Sequence, residues 1–466
     1  MVFFLIRPFT NVSGRMNSYH PPLNLATLAA YLEMKGIDVK LYDYCENPYD
    51  TATLLDNIKK YSPTAIGLSS YTNTIIPSHE IAKEVKKHFP DIPIIIGGPH
   101  STAMPKETLL EFPCFDFIVV GEGEETLHDL LTRLSKKEEV RGTKGIAHRS
   151  GEEIIIEPYR ELISDLDSIP FPNRRLIQCD KSDRHFSRGL LLNYREITSI
   201  STSRGCHFDC IFCAVNRSYS NSSKAVRYRS VANVTQEIEK CVNEFEIKHI
   251  NFFDDSFALK ESRLFPIAEK LKQLNLTWNC DIRASSAKRD ALEHMKKCGC
   301  IKLSIGVESG SQRIMDLLNK KITVDQVKKA FKMCHEVGFK IIEGTFIVGS
   351  HPDETMDDVN KSISLIKEIK PDLISVAIGT PYPGTKLRTI MASRGLIESN
   401  DWYKYSLIGK PLWRTEHFSP DDLVKLQKRL MRKFYLNLHV FFYLLKTPKY
   451  FFHMLRAGLQ FFFQHH

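Results

Sequence analysis

Apolar runs recur along residues 1–135 at 2–6, 38–42 (DVKLY), 64–69 (TAIGLS), 92–96 (IPIII) and 115–120 (FDFIVV). Helix-like stretches separate them, such as LNLATLAAYLEMKG closing on Gly36 and SHEIAKEVKKHFP closing at Pro90. That alternation predicts a parallel sheet with helices on both faces, which binds ligands at the carboxyl ends of its strands. Residues 136–190 lose the rhythm; the hairpin-like GIAHRSGEEIIIEP and the proline-bearing SIPFPNRRL read as a linker. Over 191–395 strand runs return at 198–203, 248–253, 277–283, 301–307, 341–348 and 373–379. Six strands are two short of a closed barrel, so one side is open to a large substrate, and catalytic residues belong just beyond the strand ends. In 396–466, Leu423, Leu426, Leu430, Phe434, Leu438 and Phe441 mark an amphipathic helix that would cover the open barrel. The expected fold is thus α/β: a doubly wound Rossmann-like domain, a partial (β/α)6 barrel and a helical C-terminal extension.

The 466 residues suffice for two or three domains, and 42% hydrophobic content supports a sizeable core. A net charge of +9 suits anionic small molecules, nucleic acid or an anionic membrane without choosing among them. MVFFLIRPF reads as a buried first strand rather than a signal peptide, and no apolar run reaches the roughly 20 residues of a membrane span. Eleven cysteines in so long a chain point to a reducing cytoplasm, where closely spaced thiols hold metal.

Three of them stand in STSRGCHFDCIFC as Cys206, Cys210 and Cys213. Thiolates bind zinc or iron–sulfur clusters. Zinc would need a fourth ligand: His207, folding back on its neighbour, or a distant Cys298 or Cys300. A 4Fe-4S cluster held by three cysteines instead leaves one iron open to a non-protein ligand. The CxxxCxxC spacing, with Phe212 before the last cysteine and a strand before the loop, resembles the radical S-adenosylmethionine (SAM) enzymes. The resemblance implies that the open iron chelates SAM, whose cleavage yields a 5′-deoxyadenosyl radical. It also assigns roles at later strand ends. Asp255 and Ser256 in FFDDSF, with Asp254 the rival, would meet the methionine amino group. Arg283 in DIRAS would pair with the carboxylate, and Glu308 with Ser309 in IGVESGS would contact ribose and methionine.

Upstream, LSSYT (68–72), GGPH (97–100) and GEGEET (121–126) resemble the cobalamin-binding domain that precedes the barrel in one large subgroup. Ser69 or Ser70 would then hydrogen-bond the base of the cofactor tail. Gly97 and Gly98 let the tail lie against backbone, and Gly121 and Gly123 give another close approach ahead of a phosphate-accepting helix N-terminus. The chain lacks the D-x-H-x-x-G motif whose histidine ligates cobalt in the mutases. His20 in YHPPLN is a poor substitute, so no histidine is expected on the lower face.

The two resemblances together suggest methylation of an unactivated carbon, with cobalamin relaying a methyl group from SAM to a substrate radical, although methyl transfer does not follow from the motifs themselves. Non-methylating cyclisation, ring contraction or carbon–carbon coupling is the alternative, and a cobalamin carrier or sensor the non-enzymatic one. The family implies a flavodoxin- or ferredoxin-type reductant. The tail from 421 carries eight Lys/Arg, two acidic residues and eleven aromatics, which suits peripheral membrane contact and a hydrophobic, lipid-like substrate. Nucleic acid is disfavoured, since the front domain has only Cys45 and Cys114 and lacks the extra cluster of transfer-RNA-modifying relatives. Cys280, Cys298, Cys300 and Cys334 read as buried, inert thiols.

Overall fold

A computed structural model describes residues 1–10, 21–177, 184–187, 190–193, 196–215, 226–255, 257, 260–405 and 409–435. The front apolar runs form β1 (Val2–Arg7), β2 (Asp38–Asp43), β3 (Ala65–Ser69), β4 (Ile94–Gly97) and β5 (Phe117–Val119). All are parallel, in the order β2-β1-β3-β4-β5. Alternate residues of β1 serve opposite layers. Phe3 and Leu5 pack with Leu25, Ala29 and Leu130, while Phe4 and Ile6 pack with Leu54, Ile58 and Ile81. Burial on both faces explains why these strands read as continuous apolar runs.

The segment expected to be a linker instead extends this sheet. Strand β6 (Ile146–Ser150) lies antiparallel to β5, and β7 (Glu153–Ile156) antiparallel to β6. The three-residue β5 would otherwise present an open edge of unpaired backbone groups, which the hairpin satisfies. A further antiparallel pair, β8 (Arg184–Ser187) with β9 (Leu190–Asn193), precedes the barrel.

The second sheet is β10 (Ile197–Ile200), β13 (His249–Phe252), β14 (Thr277–Arg283), β15 (Cys300–Glu308), β16 (Ile341–Val348) and β17 (Leu373–Ile378). These run parallel in chain order, with β10 and β17 at the two edges. A small ladder of β11 (Ser203–Arg204) with β12 (Arg227–Tyr228) brackets the cysteine loop.

Helix Pro420–Tyr435 lies on β17. Its Leu423, Leu426, Leu430 and Phe434 are buried, and Gln427 Nε2 donates to the Val376 carbonyl at 2.6 Å. A Cβ at Gly349 (φ +62°) would come within 2.4 Å of Leu423 Cδ2, so glycine there admits the helix. The amphipathic repeat therefore covers the barrel edge. Leu438, Phe441 and the aromatic tail lie outside the described residues, among which no helix is long and apolar enough to cross a membrane. Leu423→Ala should cost about 3 kcal/mol through the cavity it leaves, read as a lower urea midpoint for the barrel transition with unchanged slope.

Candidate active site

The cysteine loop leaves β10 under the control of a carboxylate. Asp254, at the end of β13 and fully buried, accepts the Thr202 N–H at 3.0 Å, the Thr202 hydroxyl at 2.9 Å and the Ser203 hydroxyl. Asp254, the rival for a cofactor role, is thus consumed in shaping the loop. Gly205 then turns the chain with φ +95°, and Cys213 N–H bonds the Cys210 carbonyl at 3.1 Å. Three neighbouring residues pin the loop. Ile211 N–H donates to the Leu318 carbonyl at 3.1 Å, and Ile211 accepts from Leu387 N–H at 2.9 Å. Asn319 Nδ2 reaches the Asp209 carbonyl at 2.9 Å.

Cys206, Cys210 and Cys213 are half-buried and none is in a disulfide. Burial pushes the Cys213 thiol up to about 11, and the neighbouring Cys210, Asp255 and Cys206 push the same way. Three soft donors close enough to act on one another are chemically suited to a metal cluster, whose positive charge would favour the thiolates. Of the fourth ligands conceived for zinc, His207 is exposed next to Cys206, and the distant cysteines are out of reach. Cys300 begins a nine-residue strand whose far end carries the site, about 26 Å away at ~3.3 Å per residue.

Asp255 opens to solvent at the side chain, yet surrounding protein and the Asp254 charge raise its carboxyl to about 6 against a bond from Gly205 N–H. Ser256 lies outside the described residues. Arg283 closes β14 with its guanidinium carbon 3.7 Å from the Phe208 ring centroid, which ties it to the cysteine loop. Its residue is only 9% exposed, and among the described residues Nε and Nη2 have no partner. A buried cation with free donors is unfavourable unless an anion completes it. The cradle therefore fits a carboxylate.

Glu308 ends β15 at a register shift with φ +64°, a left-handed conformation that is strained for a non-glycine residue. Lys320 Nζ holds its Oε1 at 2.5 Å, over Gly306, where a Cβ would crowd both groups. Ser309 does not join it. Its fully buried hydroxyl accepts Ser311 N–H at 3.2 Å and lies 3.4 Å from Ser362 Oγ, so it serves the turn. Sequence reasoning missed Lys320 and the 318–320 turn, which supports both the cysteine loop and Glu308. The only signal was Asn319, a residue type tolerant of its φ of +53°.

In the front domain, Ser69 and Gly97 are register partners at the ends of β3 and β4. Ser70 is fully buried and spends both N–H (2.8 Å) and hydroxyl (3.3 Å) on the Gly97 carbonyl. Of the two serines, then, Ser69 is the one left to meet a ligand. Gly98 (φ +107°) is required by the protein itself, since a Cβ would sit 2.4 Å from the Ser70 carbonyl. Gly97 faces only Val119, at 3.8 Å, and leaves open space. Gly121 (φ +83°) donates its N–H to Thr102 Oγ1 at 3.1 Å. His20 lies outside the described residues.

The helix after Gly123 does not present a vacant N-terminus. Its first turn holds Glu124 and Glu125, and Glu124 pairs with Arg204 at 2.5 Å. Acidic residues there already complement the helix dipole, against the expectation of a phosphate site. Glu122 meets Arg204 at 2.9 Å and Arg227 at 2.8 Å. Both arginines lie on the ladder around the cysteine loop, so this cluster clamps front domain to barrel. A second contact sets Trp402 Nε1 on Glu111 at 2.9 Å, with the buried His100 ring edge-on to Trp402 at 5.0 Å.

The Arg227 and Arg204 guanidinium groups outweigh burial and hold the Glu122 carboxyl below its usual range. A depressed carboxylate stabilises above its unfolded pKa, ~4.3, and loses that contribution as pH falls through the folded value. Wild-type melting temperature should therefore drop on acidification below about pH 4.3. Glu122→Gln should melt lower at neutral pH and show a smaller acid drop.

A family model of the B12 binding domain matches residues 12–131, and one of the Radical SAM superfamily matches residues 200–366. An uncharacterized methyltransferase of Pyrococcus horikoshii is 33% identical over 419 residues, covering 90% of this chain and 88% of its own. The anaerobic magnesium-protoporphyrin IX monomethyl ester cyclase of Rubrivivax gelatinosus is 27% identical over 429 residues, covering 90% and 74%. In fold, the radical SAM methyltransferase TsrM of Kitasatospora setae, solved with cobalamin and a 4Fe-4S cluster, superposes with a TM-score of 0.69. That match has 18% identity and covers 84% of this chain and 75% of the other. Domain order, barrel topology and the similarity to the Pyrococcus protein make this chain a member of the cobalamin-dependent radical SAM methyltransferase family.

Proposed function

We propose that the chain methylates an unactivated carbon of a hydrophobic, lipid-like substrate, with Cys206, Cys210 and Cys213 holding a 4Fe-4S cluster. Bound there, the cluster would supply the electron that cleaves SAM, while cobalamin over Ser69 and Gly97 would supply the methyl group. Arg283 pairs with the methionine carboxylate through Nε and Nη2, which have no partner among the described residues. Asp255 accepts from the amino group. Glu308, steadied by Lys320, accepts from the ribose hydroxyls. The Glu122–Arg204–Arg227 cluster keeps the carboxyl ends of the two sheets in fixed apposition, so that cofactors and substrate meet in one geometry.

The observation that carries this reading is buried Arg283, stacked on the cysteine loop with Nε and Nη2 unpartnered among the described residues. The hydrophobic acceptor, a flavodoxin- or ferredoxin-type reductant and peripheral membrane contact draw support from the aromatic and basic sequence after 435 and from the family. One specific similarity favours a second reading: the cyclase relative makes non-methylating radical chemistry the alternative outcome.

The test is anaerobic incubation of the reconstituted protein and cobalamin with methyl-deuterated SAM and a strong reductant. Wild type should form 5′-deoxyadenosine and pass label to the cobalamin fraction. Cys206→Ala should form no deoxyadenosine, and Arg283→Ala should weaken SAM binding about ten-fold or more, the loss of one charge-assisted pair. Deoxyadenosine formation by Cys206→Ala at the wild-type rate overturns the cluster assignment. Deoxyadenosine with no label leaving SAM overturns methyl transfer and supports the second reading.

A further inference from the structure

Three donors outside the active site converge at the opposite end of the barrel. Glu269 lies on helix Glu261–Gln273, His294 on helix Arg289–Lys297, and Cys298 caps the latter. His294 and Cys298 are four residues apart and so share a helix face. Cys298 is fully buried and its carbonyl accepts the Trp278 indole at 2.7 Å, which fixes the backbone that carries the thiol. The Phe265 ring lies 4.4 Å from that of His294 and walls one side.

The spacing of the donor atoms is informative. Glu269 Oε1 lies 3.5 Å from His294 Nε2 and 3.5 Å from Cys298 Sγ, and Cys298 Sγ lies 3.6 Å from His294 Nε2. A tetrahedral zinc ion, with bonds of ~2.3 Å to sulfur, ~2.05 Å to nitrogen and ~2.0 Å to oxygen, separates sulfur from nitrogen by about 3.5 Å, sulfur from oxygen by about 3.5 Å and nitrogen from oxygen by about 3.3 Å. The triangle is therefore one face of such a tetrahedron. Its charges agree: a carboxylate, a thiolate and a neutral imidazole balance a divalent cation. Lys272 Nζ lies 4.0 Å from Glu269 Oε2, the carboxylate oxygen outside the triangle.

We propose that Glu269, His294 and Cys298 bind one divalent cation of the zinc class. The mixed thiolate and imidazole set selects a borderline-soft metal over magnesium or calcium. The Glu269 side chain is 43% and that of His294 22% exposed, so the fourth position faces solvent and takes water or an exchangeable ligand. The site lies before β15, far from the strand ends that carry the radical chemistry, and it joins two outer helices. The bound ion would tie these two helices together, apart from the proposed reaction.

The test uses full-length protein with its cluster reconstituted, so that Cys206, Cys210 and Cys213 are engaged, dialysed against zinc and then against buffer. Wild type should retain one zinc per chain, and zinc-edge X-ray absorption should show one sulfur neighbour at ~2.3 Å with lighter donors. Cys298→Ser should lose the sulfur, and His294→Gln should bind at least ten-fold more weakly. Retention of no zinc, a multi-sulfur shell that survives Cys298→Ser, or equal binding by His294→Gln would each leave a hydrogen-bonded triad and overturn the proposal. If Cys298→Ser does not fold, Glu269→Gln and His294→Gln, at partly exposed positions, decide the matter.

Discussion

The catalytic arrangement depends on one carboxylate shared by two guanidinium groups. Glu122 comes from the loop that follows β5 of the front sheet; Arg204 and Arg227 come from the two-stranded ladder flanking the cysteine loop. Burial of such charges is costly, and only dense pairing offsets it. Here Arg204 also takes Glu124, and Arg227 Nη1 bonds the Ile163 carbonyl at 2.6 Å. Loss of a single member would leave its partners buried and uncompensated. The arrangement thus behaves as a unit, and it fixes the cysteine loop and the ends of β3, β4 and β5 in one frame.

The same economy recurs within the barrel. Asp254 sets the entry of the cysteine loop, Leu318 and Asn319 its underside, and Lys320 the carboxylate of Glu308. Strain appears where function is expected: Glu308 stands left-handed at a register shift in β15. The surrounding lysine and glycine over-determine that conformation, which fixes the direction of the carboxylate before any ligand arrives.

Much of this was legible in the chain. Strands buried on both faces announce themselves as apolar runs, and the cysteine spacing marks the loop without reference to packing. That Arg283 closes a strand was legible, because a strand end is a defined place in a barrel. The hairpin β6–β7 was misread because the need it meets, an open edge on a short strand, is not a local property. Gly98 and Ser309 show the same limit: each lies in a ligand-like motif, yet the structure spends it on the protein's own turns. The interdomain carboxylates stood inside a glycine-rich motif, and no pattern distinguishes a glutamate facing a phosphate helix from one facing an arginine 82 residues away.

The second sheet ends in two strands that never meet. Because β10 and β17 are not bonded to each other, the curved wall has a seam, and the seam can widen without rupturing any rung of the ladders between neighbours. Acceptors of quite different girth could be housed by flexing along that line while the parallel strands between the two edges stay in register. A scaffold of this kind lets evolution exchange substrates by altering the rim alone.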